Sequence, residues 1–188
     1  MNATNPRSTG PSVALRVAAG APVPPDVAAR LHGGGRALEV DCGGGLGCLA
    51  LAEAFPAARV VGHDRDPAEI ARARALALAS GLADRVTFAV AGSTRLAPAT
   101  FDLAAMHAVS RRDDALQVLN AIRNALTPEG VCVLVEPTDD DARPLLAAPG
   151  RTRDARARGL AALALRAGFL RCELSCREPD LDVFELRR

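Results

Sequence analysis

The sequence predicts an α/β fold: a doubly wound, mostly parallel seven-stranded sheet with helices on both faces and a C-terminal antiparallel hairpin. Three observations carry this expectation. Short apolar runs alternate with segments of helical period along most of the chain, the pattern of βαβ units. The stretch Ala37–Gly47, ALEVDCGGGLG, is an apolar run, an acid and three adjacent glycines, after which a helical pattern resumes. At the C-terminal end two strand-like runs, FLRCELSC and LDVFELR, flank Arg177–Asp180, whose Pro and acid suit a tight turn.

Composition bounds the rest. A chain of 188 residues that is 49% hydrophobic suits one domain with a sizeable core. All 23 basic residues are Arg, balanced by 22 acids to a net charge of +1, so the electrostatic footprint of non-specific nucleic-acid binding is missing. No apolar run approaches the roughly 18 residues of a membrane span. The start, MNATNPRSTGPS, lacks the charged region and apolar core of a secretory signal, and a cytoplasmic protein is expected. Five cysteines without a CxxC pair read as free thiols; Cys172 and Cys176 should share one strand face, and no metal site is expected.

In chain order, residues 1–30 read as a flexible segment in which Asp26 begins a short helix, the segment either capping the cleft or following a further domain, and residues 31–188 as the domain. The first strand is Ala37–Val40, followed by a helix from about Gly45 to Phe55. RVVGHD from Arg59 is a buried strand ending in an acid. Asp66, Pro67 and Glu69 supply a cap, a first-turn proline and a reaching carboxylate for a helix to about Ser80. Arg85–Val90 and Phe101–Ala108 are the third and fourth strands, joined through Gly92, Ser93 and Pro98. From Asp113, Ala115, Val118, Leu119, Ile122, Ala125 and Leu126 keep one helical face, and TPEG ends that helix before the strand VCVLVEP. A polar loop precedes a helix carrying Leu160, Leu163, Ala164 and Ala167. The arginines around its start, Arg143 to Arg158, read as a solvated helix start.

In open α/β sheets a ligand lies beyond the carboxyl ends of the strands, beside strand one. That gathers the glycine turn, Asp64, Ser93 and His107. Adjacent glycines let main chain approach a ligand directly, and the Asp64 carboxylate can accept both hydroxyls of a ribose. Glu39, a charge within an apolar strand, needs partners: loop amides or a ligand amino group. A nicotinamide-type GxGxxG fails, because Cys48 stands at its third glycine.

These residues resemble the class I S-adenosylmethionine-dependent methyltransferases. ALEVDCGGGLG is similar to that family's first motif, VVGHD to its second-strand acid, GLADRVTFAVAGS to the segment before its adenine loop, and FDLAAMHAV, ALTPEGVCVLVEP and LALRAGF to later elements. The resemblance implies S-adenosylmethionine as cofactor and a small or medium-sized methyl acceptor as partner, and it admits a homo-oligomer. It implies cofactor contacts from Glu39, Asp41, Gly43, Gly45, Asp64, Arg65 and Ser93. Apart from the resemblance, His107 at the end of strand four is placed to take the proton of a hydroxyl or amine acceptor as a neutral imidazole. Two positions depart from the pattern. Asp41 replaces the first glycine of GxGxG and Ser93 replaces an acid, which implies weaker cofactor affinity, or a family member that binds without methyl transfer.

Overall fold

The computed structural model describes residues 23–90, 96–138 and 152–188. Its centre is a seven-stranded sheet built from β1 (Arg36–Val40), β2 (Arg59–Asp64), β3 (Val86–Val90), β4 (Phe101–His107), β5 (Leu126–Pro137), β6 (Arg171–Arg177) and β7 (Leu181–Arg187). The strand order is β3-β2-β1-β4-β5-β7-β6. β1 pairs in parallel with both β2 and β4, so Val40 sits between His63 and Met106 and the chain reverses its winding there. β7 runs antiparallel to β5 and β6, giving the expected edge hairpin.

Alternation along each strand sends side chains into two separate cores. One holds Ala37, Val60, Leu103, Ala105 and Val133 beneath α1 (Pro25–His32), α2 (Leu46–Ala54) and α3 (Pro67–Ala79). The other holds Leu38, Ala104, Met106 and Leu134 beneath α4 (Ala115–Ala125) and α5 (Arg153–Arg166). On α4 the buried positions Ala115, Val118, Leu119, Ile122 and Ala125 form the single stripe that its helical period foretells. Asp66 caps α3 as expected, its Oδ1 accepting the Ala68 amide at 2.8 Å. Glu69 does not return the bond; its carboxylate pairs with Arg72.

Four expectations change. First, α1 does not cap the cleft. Val27 and Leu31, one turn apart and fully buried, fix it to the core, while Arg30 donates to the Glu129 carbonyl at 2.7 Å and Arg187 pairs with Asp26 at 3.0 Å. These partners mark the end of the sheet where β1 and β4 begin, opposite the glycine turn, and a boundary at residue 30 would cut the helix. Second, TPEG ends α4 but lies within the span of β5. Phe101 pairs with Leu126 and Leu103 with Val131, so residues 127–130 bulge out of register. Gly130 is required there, since a Cβ would stand 2.8 Å from the Phe101 carbonyl oxygen.

Third, Cys172 and Cys176 face opposite sides of the sheet. A bulge between Leu174 and Cys176 inserts one residue, and one residue inverts a strand's facing. Cys172 packs on the α4/α5 side and Cys176 on the other. Fourth, the start of α5 is not merely solvated. Arg153 pairs with Asp182 and donates to the carbonyls of Glu178 and Leu181, both at 2.5 Å, while Arg156 donates to the Thr138 carbonyl at 2.8 Å. Arg143 and Arg151 lie outside the described residues.

Candidate active site

The turn after β1 is a chain of left-handed residues: Asp41, Gly43 and Gly45 have φ of 57°, 51° and 80°. It is clamped to the end of β2 on both sides. The Cys42 amide donates to the His63 carbonyl at 3.0 Å, and the Gly43 amide donates to Asp64 Oδ2 at 2.8 Å. Asp64 Oδ1 accepts the Asp66 amide at 2.9 Å, so one carboxylate ties the glycine turn to the start of α3. The glycines divide their work. Among the described residues, a Cβ on Gly43 or Gly44 would meet only the Glu69 carboxylate, at 4.0 and 3.5 Å, so no described backbone or core side chain covers the outer surface of the turn. A Cβ on Gly45 would strike the Phe88 ring at 2.7 Å and Ala73 at 2.8 Å. Gly45 is thus demanded by packing under the turn.

Glu39 is 2% exposed, and among its partners is the Cys48 thiol, which donates to Oε2 at 3.0 Å from the first turn of α2. It points under the turn toward α2, and burial pushes the Cys48 thiol well above its ordinary range. The side chain of Asp41 is turned to Arg112, which also holds Asp114 at 2.7 and 2.9 Å, and Asp114 in turn pairs with Arg65. This ladder crosses the tops of β1 and β2 to the start of α4. The charge that Asp41 brings into the turn is therefore matched by a guanidinium whose side chain is 13% exposed.

Arg112 and Asp114 were not singled out by sequence reasoning; their only signal is the run RRDD before a helix. Asp41→Gly removes a left-handed Asp worth roughly 1 kcal/mol of strain and also one arm of the ladder. The two oppose each other, and thermal melts are expected to place the variant within about 1 kcal/mol of wild type. Arg112→Ala, which takes the guanidinium from Asp41 and leaves Asp114 to Arg65 alone, is expected to be the more damaging change.

His107 closes β4 opposite Val135. It continues the alternation of Leu103 and Ala105, which pack on the α1–α3 side. Beyond it Ala108 takes a left-handed conformation, φ 53°, and swings the chain into a 3₁₀ turn, Val109–Arg111. That turn lays Ser110 over Glu136 at the end of β5: the Ser110 hydroxyl donates to Oε2 and its amide approaches both oxygens at 3.3 and 3.4 Å. Burial pushes the Glu136 carboxyl up to about 7, against the opposing pull of these donors. The sequence reading passed over Glu136, hidden as the last acid of an apolar strand.

The shift fixes a sign for stability. The folded protein holds a proton that an ordinary carboxyl releases near 4.5, so this contribution is complete below that pH and is lost as pH rises through about 7. The loss amounts to about 3 kcal/mol. Urea unfolding at pH 5 and pH 8 is expected to show it, and Glu136→Gln is expected to be the more stable protein at pH 8. Ser93 lies outside the described residues.

A glycine turn at the winding reversal of a sheet ordered 3-2-1-4-5-7-6, with an acid closing the second strand, defines the Rossmann-like class of methyltransferase domains. Residues 37–130 match the model of the methyltransferase domain family, and the chain belongs to that family. Mitomycin 7-O-methyltransferase MmcR is similar at 25% identity and a TM-score of 0.69, over 93% of this chain and 52% of its own. The chain thus spans about half the length of that relative. The [4+2]-cyclase SpnF shares the fold at 24% identity and a TM-score of 0.66, over 86% of this chain and 60% of its own. A SAM-dependent methyltransferase from Aquifex aeolicus shares it at 14% identity and a TM-score of 0.66, covering 91% of both chains. Among curated proteins no sequence is similar enough to match. Among the described residues no helix is long and apolar enough to cross a membrane.

Proposed function

We propose that this chain binds S-adenosylmethionine over the glycine turn and transfers its methyl group to a small or medium-sized acceptor. The observation that carries the reading is the main chain at Gly43 and Gly44, uncovered by the described residues, beside the half-buried Asp64, whose carboxylate is anchored by two amides and still has acceptor capacity. Asp64 would take the ribose hydroxyls, and Gly43 and Gly44 would lie against the ligand. Asp41, neutralised by Arg112, would not repel a ligand carboxylate, and Arg65 would act through Asp114 by holding the ladder in place. The donor arrives already activated as a sulfonium, so the protein's part is to hold it, orient the acceptor and exclude water.

A second reading, ligand binding without methyl transfer, is favoured by Asp41 standing where the family has glycine and by the likeness to SpnF, a cyclase on the same fold. Calorimetric titration with S-adenosylmethionine tests the first step for both. Heat and thermal stabilisation are expected, and neither at millimolar ligand would sink the site assignment. Turnover of bound donor in the presence of an acceptor then separates enzyme from binder.

A further inference from the structure

The two edges of the sheet are finished differently. At β3 the Val60 amide takes the Arg85 carbonyl at 2.9 Å, so by alternation the Phe88 carbonyl points outward. Arg74 of α3 donates to it through two nitrogens, at 2.6 and 3.2 Å, and closes that edge. At the other end of the sheet β6 is the last strand, and every one of its residues is exposed or half-buried. Among the described residues, no side chain plays the part of Arg74 over Arg171–Leu174.

Leucines gather at this edge instead. Leu170, whose amide bonds the Arg187 carbonyl at 2.9 Å where the chain enters β6, is 76% exposed, and Leu174 is 39% exposed. Leu174 is in register with Phe184 and shares its α4/α5 side. On α5, Leu165 is 55% exposed. It stands three turns beyond Asp154, whose carboxylate meets Arg177 of β6 at 2.8 Å, so both lie on the flank of α5 that overlooks β6. Large apolar side chains gathered along an open edge mark an interaction surface.

On the α1–α3 side the same edge sets like charges together. Arg171 stands opposite Arg187, and Glu173 opposite Glu185. Such pairs oppose strand pairing, and each residue finds its opposite along its own strand, Arg171 with Glu173 at 3.3 Å and Arg187 with Glu185 at 2.6 Å. Beyond the edge, the place beside Arg171 suits an acid and the place beside Glu173 a base.

We propose that β6 pairs antiparallel with β6 of a second copy of this chain, about a two-fold axis through Cys172, joining two seven-stranded sheets into one. A two-fold axis normal to the sheet keeps each face on its own side, so residues that meet must share a face and the axis passes through a residue rather than between two. An axis through Arg171 sets that charge against itself, and an axis through Glu173 does the same. An axis through Cys172 sets Arg171 against Glu173 of the second copy, twice by symmetry, and brings Leu170 level with Leu174. The charged rows then read Arg187, Arg171, Glu173, Glu185 across the join, so each like pair gains an opposite neighbour. The same axis keeps both α5 helices on one side of the sheet, their Leu165 flanks turned toward each other. The bulge after Leu174 ends the regular run and confines the pairing to this segment.

Sedimentation equilibrium of the full chain, from micromolar to millimolar concentration, tests the interface. The weight-average mass is expected to rise from 19.5 kDa toward twice that value. Arg171→Glu and Glu173→Arg each set like charges against one another twice, and each is expected to weaken self-association about tenfold. An equimolar mixture of the two variants restores both opposite pairs, and is expected to associate as a heterodimer at least as tightly as wild type. Leu174→Lys is expected to weaken association about tenfold, with no rescue on mixing with either charge variant. Circular dichroism melts accompany each sample, and recovery in the mixture itself requires both variants to be folded. A mass that stays at 19.5 kDa at millimolar concentration, a dimer that both charge variants leave unchanged, or a mixture no tighter than its components would overturn the inference.

Discussion

Gly45→Ala is expected to lower the unfolding free energy by about 2–5 kcal/mol, read by urea denaturation followed by circular dichroism. Two independent penalties meet at this residue. Its φ of 80° places any side chain in the left-handed region, at about 1–2 kcal/mol. A methyl would also overlap the Phe88 ring and the Ala73 methyl, at 2.7–2.8 Å, in a core where overpacking costs about 1–3 kcal/mol. Phe88 cannot easily yield, since it also fills the space left by Gly62 on β2, where a Cβ would meet it at 2.6 Å and the Cys42 sulfur at 2.8 Å. The contrast is Gly44→Ala. Among the described residues its methyl would make only ordinary contact, 3.5 Å from the Glu69 carboxylate, so stability is expected to change by no more than about 0.5 kcal/mol, while ligand affinity falls because the methyl stands where a ligand would lie. If Gly45→Ala unfolds like wild type, the packing of the turn on Phe88 is wrong.

What the sequence revealed and what it hid divides along the range of the interactions. The glycine turn, the Asp66 cap of α3 and the stripe on α4 are local: each follows from backbone preference and periodicity within a few residues, and each stands where the residues foretold. The C-terminal hairpin was legible for the same reason, but not its facing. A single inserted residue near Ser175 sends Cys172 and Cys176 to opposite cores, and nothing in RCELSC announces a bulge. The Asp41–Arg112 pair joins residues far apart in the chain, so Asp41 read alone was an uncompensated charge. Glu136 was invisible because its meaning depends on Ser110 swinging over it from the 3₁₀ turn after β4. Gly45 was read as a ligand-facing glycine, whereas three adjacent glycines turn out to serve two different purposes. Composition cannot distinguish a missing side chain that makes room for a ligand from one that makes room for Phe88.

Asp64→Asn is expected to weaken S-adenosylhomocysteine binding by roughly 10- to 100-fold in calorimetry, the largest loss of affinity from a change of one atom. The carboxylate oxygens already accept the Gly43 and Asp66 amides, at 2.8 and 2.9 Å, and each retains a further lone pair for a ribose hydroxyl. Replacing one oxygen by NH₂ sets a donor against one of those amides and removes the charge from the remaining bonds. Hydrogen bonds to a charged group contribute about 1.5–3 kcal/mol, and each 1.4 kcal/mol is tenfold in affinity. The turn suffers as well, so a fall in stability of about 1–2 kcal/mol is expected from the unpaired amide. These two effects are separable by ligand. A purely structural Asp64 would weaken adenosine and 2′,3′-dideoxyadenosine equally in the variant. A ribose-holding Asp64 predicts that wild type strongly prefers adenosine over the dideoxy compound and that Asp64→Asn abolishes most of that preference. Equal discrimination in the two proteins would reduce Asp64 to an anchor for the turn and move the ribose elsewhere.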